Sequence, residues 1–169
     1  MTADLSTATT PSIPPIVHRL DPLVQAALRA GVPMGPNVLM TVRGRKSGVP
    51  RTVPVAVVRD GDAEYLFSPF GEVAWVHNLR AAGTAEIGRG RRRRTVDARE
   101  LTPAEATPHL EAALRSMLRI PGVGSMLAGW YGISKASTHE DYVTAAGRHP
   151  AFELREPAAQ AGSIVDGSA

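Results

Sequence analysis

The chain has 169 residues, 43% hydrophobic and 21% charged, with 19 Lys+Arg against 16 Asp+Glu for a net charge of +3. That is enough for one domain with a hydrophobic core, its apolar runs are too short to span a bilayer, and the absence of cysteine excludes disulfides, thiolate metal sites and a cysteine nucleophile. Any redox chemistry must come from a bound organic cofactor. Of the 19 cations only Lys46 and Lys135 are lysine, leaving 17 arginines. They cluster: Arg43, Arg45, Lys46 and Arg51 share one glycine-containing segment, and Arg89 with Arg91, Arg92, Arg93 and Arg94 share another. Such local crowding points to anionic partners rather than a uniformly basic surface.

Residues 1–15 are rich in Thr, Ser, Ala and Pro and are expected to form a flexible tail. They lack the basic start and continuous apolar stretch of a secretory signal, so the expected location is cytoplasmic, with peripheral membrane association left open. The single domain is expected over 16–156, followed by a second loose tail over 157–169. Asp21 reads as the N-cap of a short amphipathic helix on Leu23, Val24, Ala27 and Leu28, with Gly31 past its end. Val38 to Val42 is a β-rich run ending at the basic turn. Thr52 to Val58 is the next strand, with Asp60-Gly61 a hairpin signal and Glu64 to Phe67 completing it. Pro54 cannot donate to a ladder, which places it at an edge, a bulge or a strand start.

After the turn Ser68-Pro69-Phe70-Gly71, the stripe Val73, Val76, Leu79 with Trp75 predicts a helix stopped by Gly83. Strands over 84–87 and 95–99 flank an arginine-rich turn from Gly88 to Arg94, expected to be a solvated hairpin tip. Thr102-Pro103-Ala104-Glu105 is a capping box that opens a helix to about Leu118. Pro121 to Gly124 ends it, a less regular stretch runs from Met126 to Arg148, and Ala151 to Arg155 alternates like a last strand. The pattern predicts an α+β, mainly β domain: a small antiparallel barrel with flanking helices.

In the segment from Arg43 to Arg51, Gly44 and Gly48 allow a tight turn and close approach of backbone to ligand. Arg43, Arg45, Lys46 and Arg51 supply charge, and Ser47 a hydroxyl. The spacing is neither a Walker motif nor a dinucleotide fingerprint. Taken alone it fits a phosphate or polycarboxylate cradle and a solvated basic turn equally well. The five histidines, at 18, 77, 109, 139 and 149, show no metal-ligand spacing, so no metal is expected. No serine sits in a Gly-x-Ser-x-Gly elbow, and the arginine-rich hairpin lacks aromatics for base stacking, so neither a hydrolase triad nor a nucleic-acid partner is expected.

The run of strand, Gly44-Arg45-Lys46-Ser47-Gly48-Val49-Pro50-Arg51, second strand, turn and Trp75-x-x-Asn78-Leu79 resembles the deazaflavin (coenzyme F420)-dependent nitroreductases and quinone reductases. The likeness is good over about Val38 to Arg99 and looser at His149-Pro150-Ala151-Phe152. It implies a flavin-reductase-like split β-barrel. Arg45, Lys46, Ser47 and Arg51 would grip the cofactor's phosphodiester and acidic tail, Thr52, Val53, Pro54 and Val55 would line the deazaflavin, and Ser68, Pro69, Phe70 and Gly71 would flank it. Trp75, Asn78 and Leu79 would close over it, although Trp75 suits core packing equally well. It also implies hydride transfer from reduced F420 to a small electron-poor acceptor: a quinone, an activated alkene or a nitroaromatic. The aromatics of the acceptor side depart from the family pattern, leaving Trp130, Tyr131 and Tyr142. Tyr131 and Tyr142 are the candidates for a proton donor. FMN on the same basic turn, and a non-catalytic deazaflavin, haem or lipid carrier, are the alternatives.

Overall fold

The computed structural model of the chain describes residues 15–157; the two expected tails lie outside them, apart from their boundary residues. Eleven elements occur in the order α1 (Pro15–Arg29), β1 (Asn37–Arg43), β2 (Pro50–Asp60), β3 (Ala63–Phe67), α2 (Ala74–Ala82), β4 (Thr84–Arg89), β5 (Arg92–Glu100), α3 (Pro103–Met117), α4 (Val123–Tyr131), α5 (His139–Arg148) and β6 (Ala151–Arg155). The six strands close an antiparallel barrel in the order β1-β2-β3-β6-β5-β4, with β4 returning to β1. The expected small antiparallel barrel with flanking helices is the one observed.

The hairpin β1–β2 is in register from Asn37↔Ala56 to Arg43↔Pro50. Its phase explains Pro54. The amide of Val57 donates to Pro36 O at 3.1 Å, so in an antiparallel ladder residues 55, 53 and 51 also aim their amides at β1. Pro54, opposite Leu39, has its amide position on the other side, and there β2 has no partner, because β3 pairs only with Val57 to Asp60. A missing donor costs nothing at such an open edge. The barrel wall therefore parts beside the first half of β2, and the chain leaves β3 into the 68–71 loop at the same level.

Two apolar clusters fill the domain. Inside the barrel lie Met40, Val42, Val55, Leu66, Val76, Leu79, Ala85, Ile87, Val96, Phe152 and Leu154. Val76 and Leu79 come from α2, which plugs the barrel end that carries the basic turn. A second cluster joins Tyr65 and Phe67, on the outer side of β3, to Leu110 and Leu114 of α3, Tyr131 of α4 and Tyr142 of α5.

Four expectations need correction. The first helix begins at Pro15, six residues before Asp21, so Asp21 is no N-cap and Pro22 stands inside the helix. Pro15 offers the same first-turn preference that Pro22 suggested. Its end is as expected: Gly31, at φ 83°, forms a double-bonded αL cap in which Val32 N donates to Ala27 O and Gly31 N to Leu28 O. Second, the 126–148 stretch contains two helices. In α4 apolar residues occur all round, which hides the 3.6-residue stripe, and α5 opens with a Thr138–Asp141 capping box. Third, the turn between β4 and β5 shrinks to Gly90 and Arg91, with Arg89 and Arg92 to Arg94 drawn into strands. Fourth, the tip is solvated only in part: Arg91, Arg92 and Arg93 are exposed, but three of the arginines have partners. Arg93 pairs with Glu86 at 2.8 Å, Arg94 pairs with Glu64, and Arg89 donates to Asn37 O at 2.7 Å and to Gly35 O.

Candidate functional site

The basic turn is built by its own hydrogen bonds. Gly44 N donates to Val49 O at 3.0 Å, Gly48 N to Gly44 O at 2.8 Å, and Ser47 Oγ accepts from Val49 N at 3.3 Å. Glycine is favoured twice: Gly48 has φ 68°, and a Cβ on Gly44 would crowd Val49 O at 3.0 Å and Ser47 Oγ at 3.2 Å. The turn is then braced from outside. Asn78 of α2, 7% exposed, accepts at Oδ1 from both the backbone N and the guanidinium Nη1 of Arg45, each at 3.2 Å. Thr41 and Thr52 hydroxyls meet at 2.8 Å across the hairpin just behind it.

Arg45, Lys46, Ser47 and Arg51 are all exposed at this turn. None of Arg43, Arg45, Lys46 or Arg51 pairs with a carboxylate among the described residues, whereas Arg59, Arg80, Arg93, Arg94, Arg99, Arg115 and Arg155 all do. A fixed turn presenting unpaired cations, a hydroxyl and guanidinium donors can meet a phosphate or a chain of carboxylates through charge-assisted hydrogen bonds.

Beside the turn, Thr52, Val53 and Pro54 are half-buried along the open half of β2, while Val55 is buried in the barrel. Pro69 and Phe70 are half-buried, and Phe70 meets Trp130 edge-on at 5.0 Å. Ser68 and Gly71 stand behind this surface. Ser68 is fully buried and its hydroxyl donates to Gly71 O at 2.6 Å, while Ser68 N donates to Pro150 O and His149 Nδ1 donates to Ser68 O at 2.9 Å. These two residues hold the loop rather than line a cavity. Leu79 is likewise wholly within the barrel core, and Trp75 packs half-buried against Phe152 at 6.1 Å.

The tyrosines are interior. Tyr142 is 1% exposed, under the guanidinium of Arg115 at 5.2 Å, and Tyr131 is 8% exposed, its ring 4.6 Å from His149. Burial pushes both hydroxyls' pKa upward and that of His149 downward, so near neutrality His149 is an uncharged donor to Ser68. Both tyrosines belong to the helical cluster, Tyr131 where that cluster backs the 68–71 loop through His149.

Three features escaped the sequence reading because each joins residues distant in the chain. Arg80 bridges Glu72 and Glu100 on α2's outer face. Asp60, His109 and Tyr65 form a chain of contacts at 2.7 and 3.2 Å under α3. Asn78 grips the turn instead of standing free. Among the described residues, no group of three or more His, Asp and Glu could hold a metal, and no helix is long and apolar enough to cross a membrane.

The fold and turn together define an antiparallel barrel with an anion-gripping hairpin at one end. The model for the family described as F420H(2)-dependent quinone reductase matches residues 23–119, and the chain belongs to that family. The match takes in α1 from its middle, the basic turn, α2, the arginine hairpin and α3. Over 72 residues the chain is 35% identical to F420H(2)-dependent quinone reductases of Mycobacterium tuberculosis strains H37Rv and CDC 1551, an alignment covering 40% of this chain and 48% of theirs. The chain thus spans about half the length of the curated relatives it matches. Among solved structures it is similar to an F420-H2 dependent reductase (23% identity, 71% of this chain and 94% of the other, TM-score 0.43). It is also similar to the haem storage protein HutZ of Vibrio cholerae (10% identity, 82% and 90%, TM-score 0.48). At these scores the barrel rests on its own strand pairing, not on the likeness.

Proposed function

We propose that the protein is a reductase that takes a hydride from reduced coenzyme F420 and delivers it to a small electron-poor acceptor, with a quinone as the first choice. The observation that carries the reading is the rigid basic turn with its cations unpaired. The donor set suits the cofactor's tail: Arg45, Lys46 and Arg51 for a phosphodiester and successive carboxylates, Ser47 Oγ for a further hydrogen bond. Thr52, Val53 and Pro54 would run beside the ring along the open edge of β2, with Phe70 and Trp75 bounding the space. When bound, the deazaflavin supplies the reducing electron pair.

The protein's own contribution is to hold tail and ring in one orientation and to present an apolar approach for the acceptor. Asn78 acts here as a positioning residue, because it fixes Arg45 at two atoms. Since Tyr142 is buried in the helical cluster and Tyr131 is buried behind the 68–71 loop, both with raised pKa values, the proton that completes quinone reduction is assigned to solvent. A cytoplasmic location belongs to the same proposal.

The test is titration of the purified full chain with reduced F420, then addition of menadione. Saturable binding followed by menadione-dependent oxidation of the cofactor is expected. Preferential binding of FMN would transfer the turn to that cofactor, and tight deazaflavin binding without oxidation by menadione, an activated alkene or a nitroaromatic would make the protein a carrier.

A further inference from the structure

The barrel has a second charged end. β1 spans Asn37 to Arg43, so its ends lie about 20 Å apart at ~3.3 Å per residue. At the Arg43 end α2 closes the barrel beside the basic turn. At the Asn37 end there is a cavity of about 680 Å³, within the range of ligand pockets. Its floor includes Val38, Val57 and Ile87, which pack on the barrel core. Its rim carries Arg59, Arg89, Arg92, Arg93 and Arg94 with one carboxylate, Glu64.

Strand alternation produces this arrangement. Arg59 is two residues beyond Val57, Glu64 two before Leu66, and Arg94 two before Val96, so all three share the inward face of the core residues. Glu64 accepts from Arg59 Nε at 3.1 Å and from Arg94. Burial works to raise the Glu64 pKa, but bonds from Arg94 and then Arg59 outweigh it and leave the carboxyl ionised well into acid.

The charges do not balance. Glu64 is shared by two arginines, and Arg93 has Glu86. Arg89 spends its donors on the neutral carbonyls of Asn37 and Gly35, and Arg92 pairs with no carboxylate among the described residues. The concave surface with its apolar floor is thus lined by five arginines and one carboxylate, Glu64, while Glu86, which takes Arg93, stands outside the lining. A mouth that needed only closing would be served by matched pairs; a surplus of like charge raises the energy of the folded chain unless an anion occupies it.

We propose that this mouth is a second ligand site, separate from the basic turn, for a small organic anion with an apolar or planar body. The body rests on Val38, Val57 and Ile87, and its carboxylate, sulfonate or phosphate meets the forked guanidinium of Arg92 and the remaining donors of its neighbours. A concave apolar floor and the lack of aromatic side chains on the rim favour a small molecule over a nucleic acid.

The probe is 8-anilinonaphthalene-1-sulfonate titrated into the full chain, with backbone amide shifts locating the site. One saturable site is expected, with shifts at Val38, Val57 and Gly88. Arg92→Glu and Arg92→Gln should each weaken it, the former about tenfold or more, and uncharged N-phenyl-1-naphthylamine should bind at least about tenfold more weakly. Lys46→Ala with Arg51→Ala should leave it unchanged, which separates this site from the cofactor reading. Shifts centred elsewhere, equal binding of the uncharged analogue, unaltered affinity in Arg92→Glu, or displacement of the probe by a DNA duplex at lower concentration than by a carboxylate amphiphile would each overturn the proposal.

Discussion

The segments 43–51 and 89–94 look alike in sequence: both are short, glycine-marked and crowded with arginine. In the folded chain they diverge. Arg93 and Arg94 are partnered by Glu86 and Glu64, and Arg89 is tied to carbonyls of the 35–37 segment, so that hairpin is stitched into the barrel. The 43–51 turn is held by backbone bonds and by Asn78, and its cations remain unpaired with carboxylates among the described residues. A count of basic residues therefore separates neither segment from the other; the carboxylates opposite them do.

Breaking the turn should mainly affect F420 affinity, while breaking the backbone of the hairpin should mainly affect stability. The largest effect is expected from Lys46→Ala combined with Arg51→Ala. Each charge-assisted bond to an anion contributes about 1.5–3 kcal/mol, so F420 affinity should fall by about 100-fold or more with little change in melting temperature. Next is Gly88→Ala, where a Cβ would stand 2.0 Å from Arg92 O and 2.8 Å from Arg93 Cα. Thermal or denaturant unfolding should show a loss of about 1–3 kcal/mol, with F420 affinity of the folded fraction retained.

Asn78→Ala sharpens the comparison, because it leaves Arg45 N without its acceptor while sparing every cation of the turn. A loss of about 1–2 kcal/mol in F420 affinity is expected by titration, and Asn78→Asp, which keeps the acceptor but sets a carboxylate against Arg45, should not restore it. The smallest effect is a pH dependence set by His149. Burial lowers its pKa from 6.5, so below pH 6.5 the unfolded chain takes up a proton that the folded chain resists. Stability should therefore fall as pH drops below about 6.5, and His149→Gln should flatten that part of a stability-against-pH curve.

Where sequence and structure agree, the signal was local. The Thr102–Glu105 capping box, the Asp60-Gly61 hairpin and the alternation of Ala151 to Arg155 each declare themselves within a few residues, and all three are observed. The helix over 123–131 was illegible because Val123-Gly-Ser-Met-Leu-Ala-Gly-Trp-Tyr131 carries no polar face to set a period. The site divides in the same way. The cradle of Gly44, Gly48 and their flanking cations could be read directly. The pairing of Arg94 with Glu64 and of Arg45 with Asn78 could not, since each joins residues at least 30 positions apart with no local trace. Ser68 and Leu79, which belong to the resembling pattern, prove to be interior supports, so the family motif includes residues that hold the wall.

The most direct test is calorimetric titration of reduced F420 into the wild-type chain, Lys46→Ala/Arg51→Ala, and Arg91→Ala/Arg92→Ala at low and high salt. Affinity lost in the first variant, retained in the second, and weakened by salt only where the turn is intact would establish the turn as the cofactor grip. Equal losses in both variants, or undiminished affinity in the first, would contradict it.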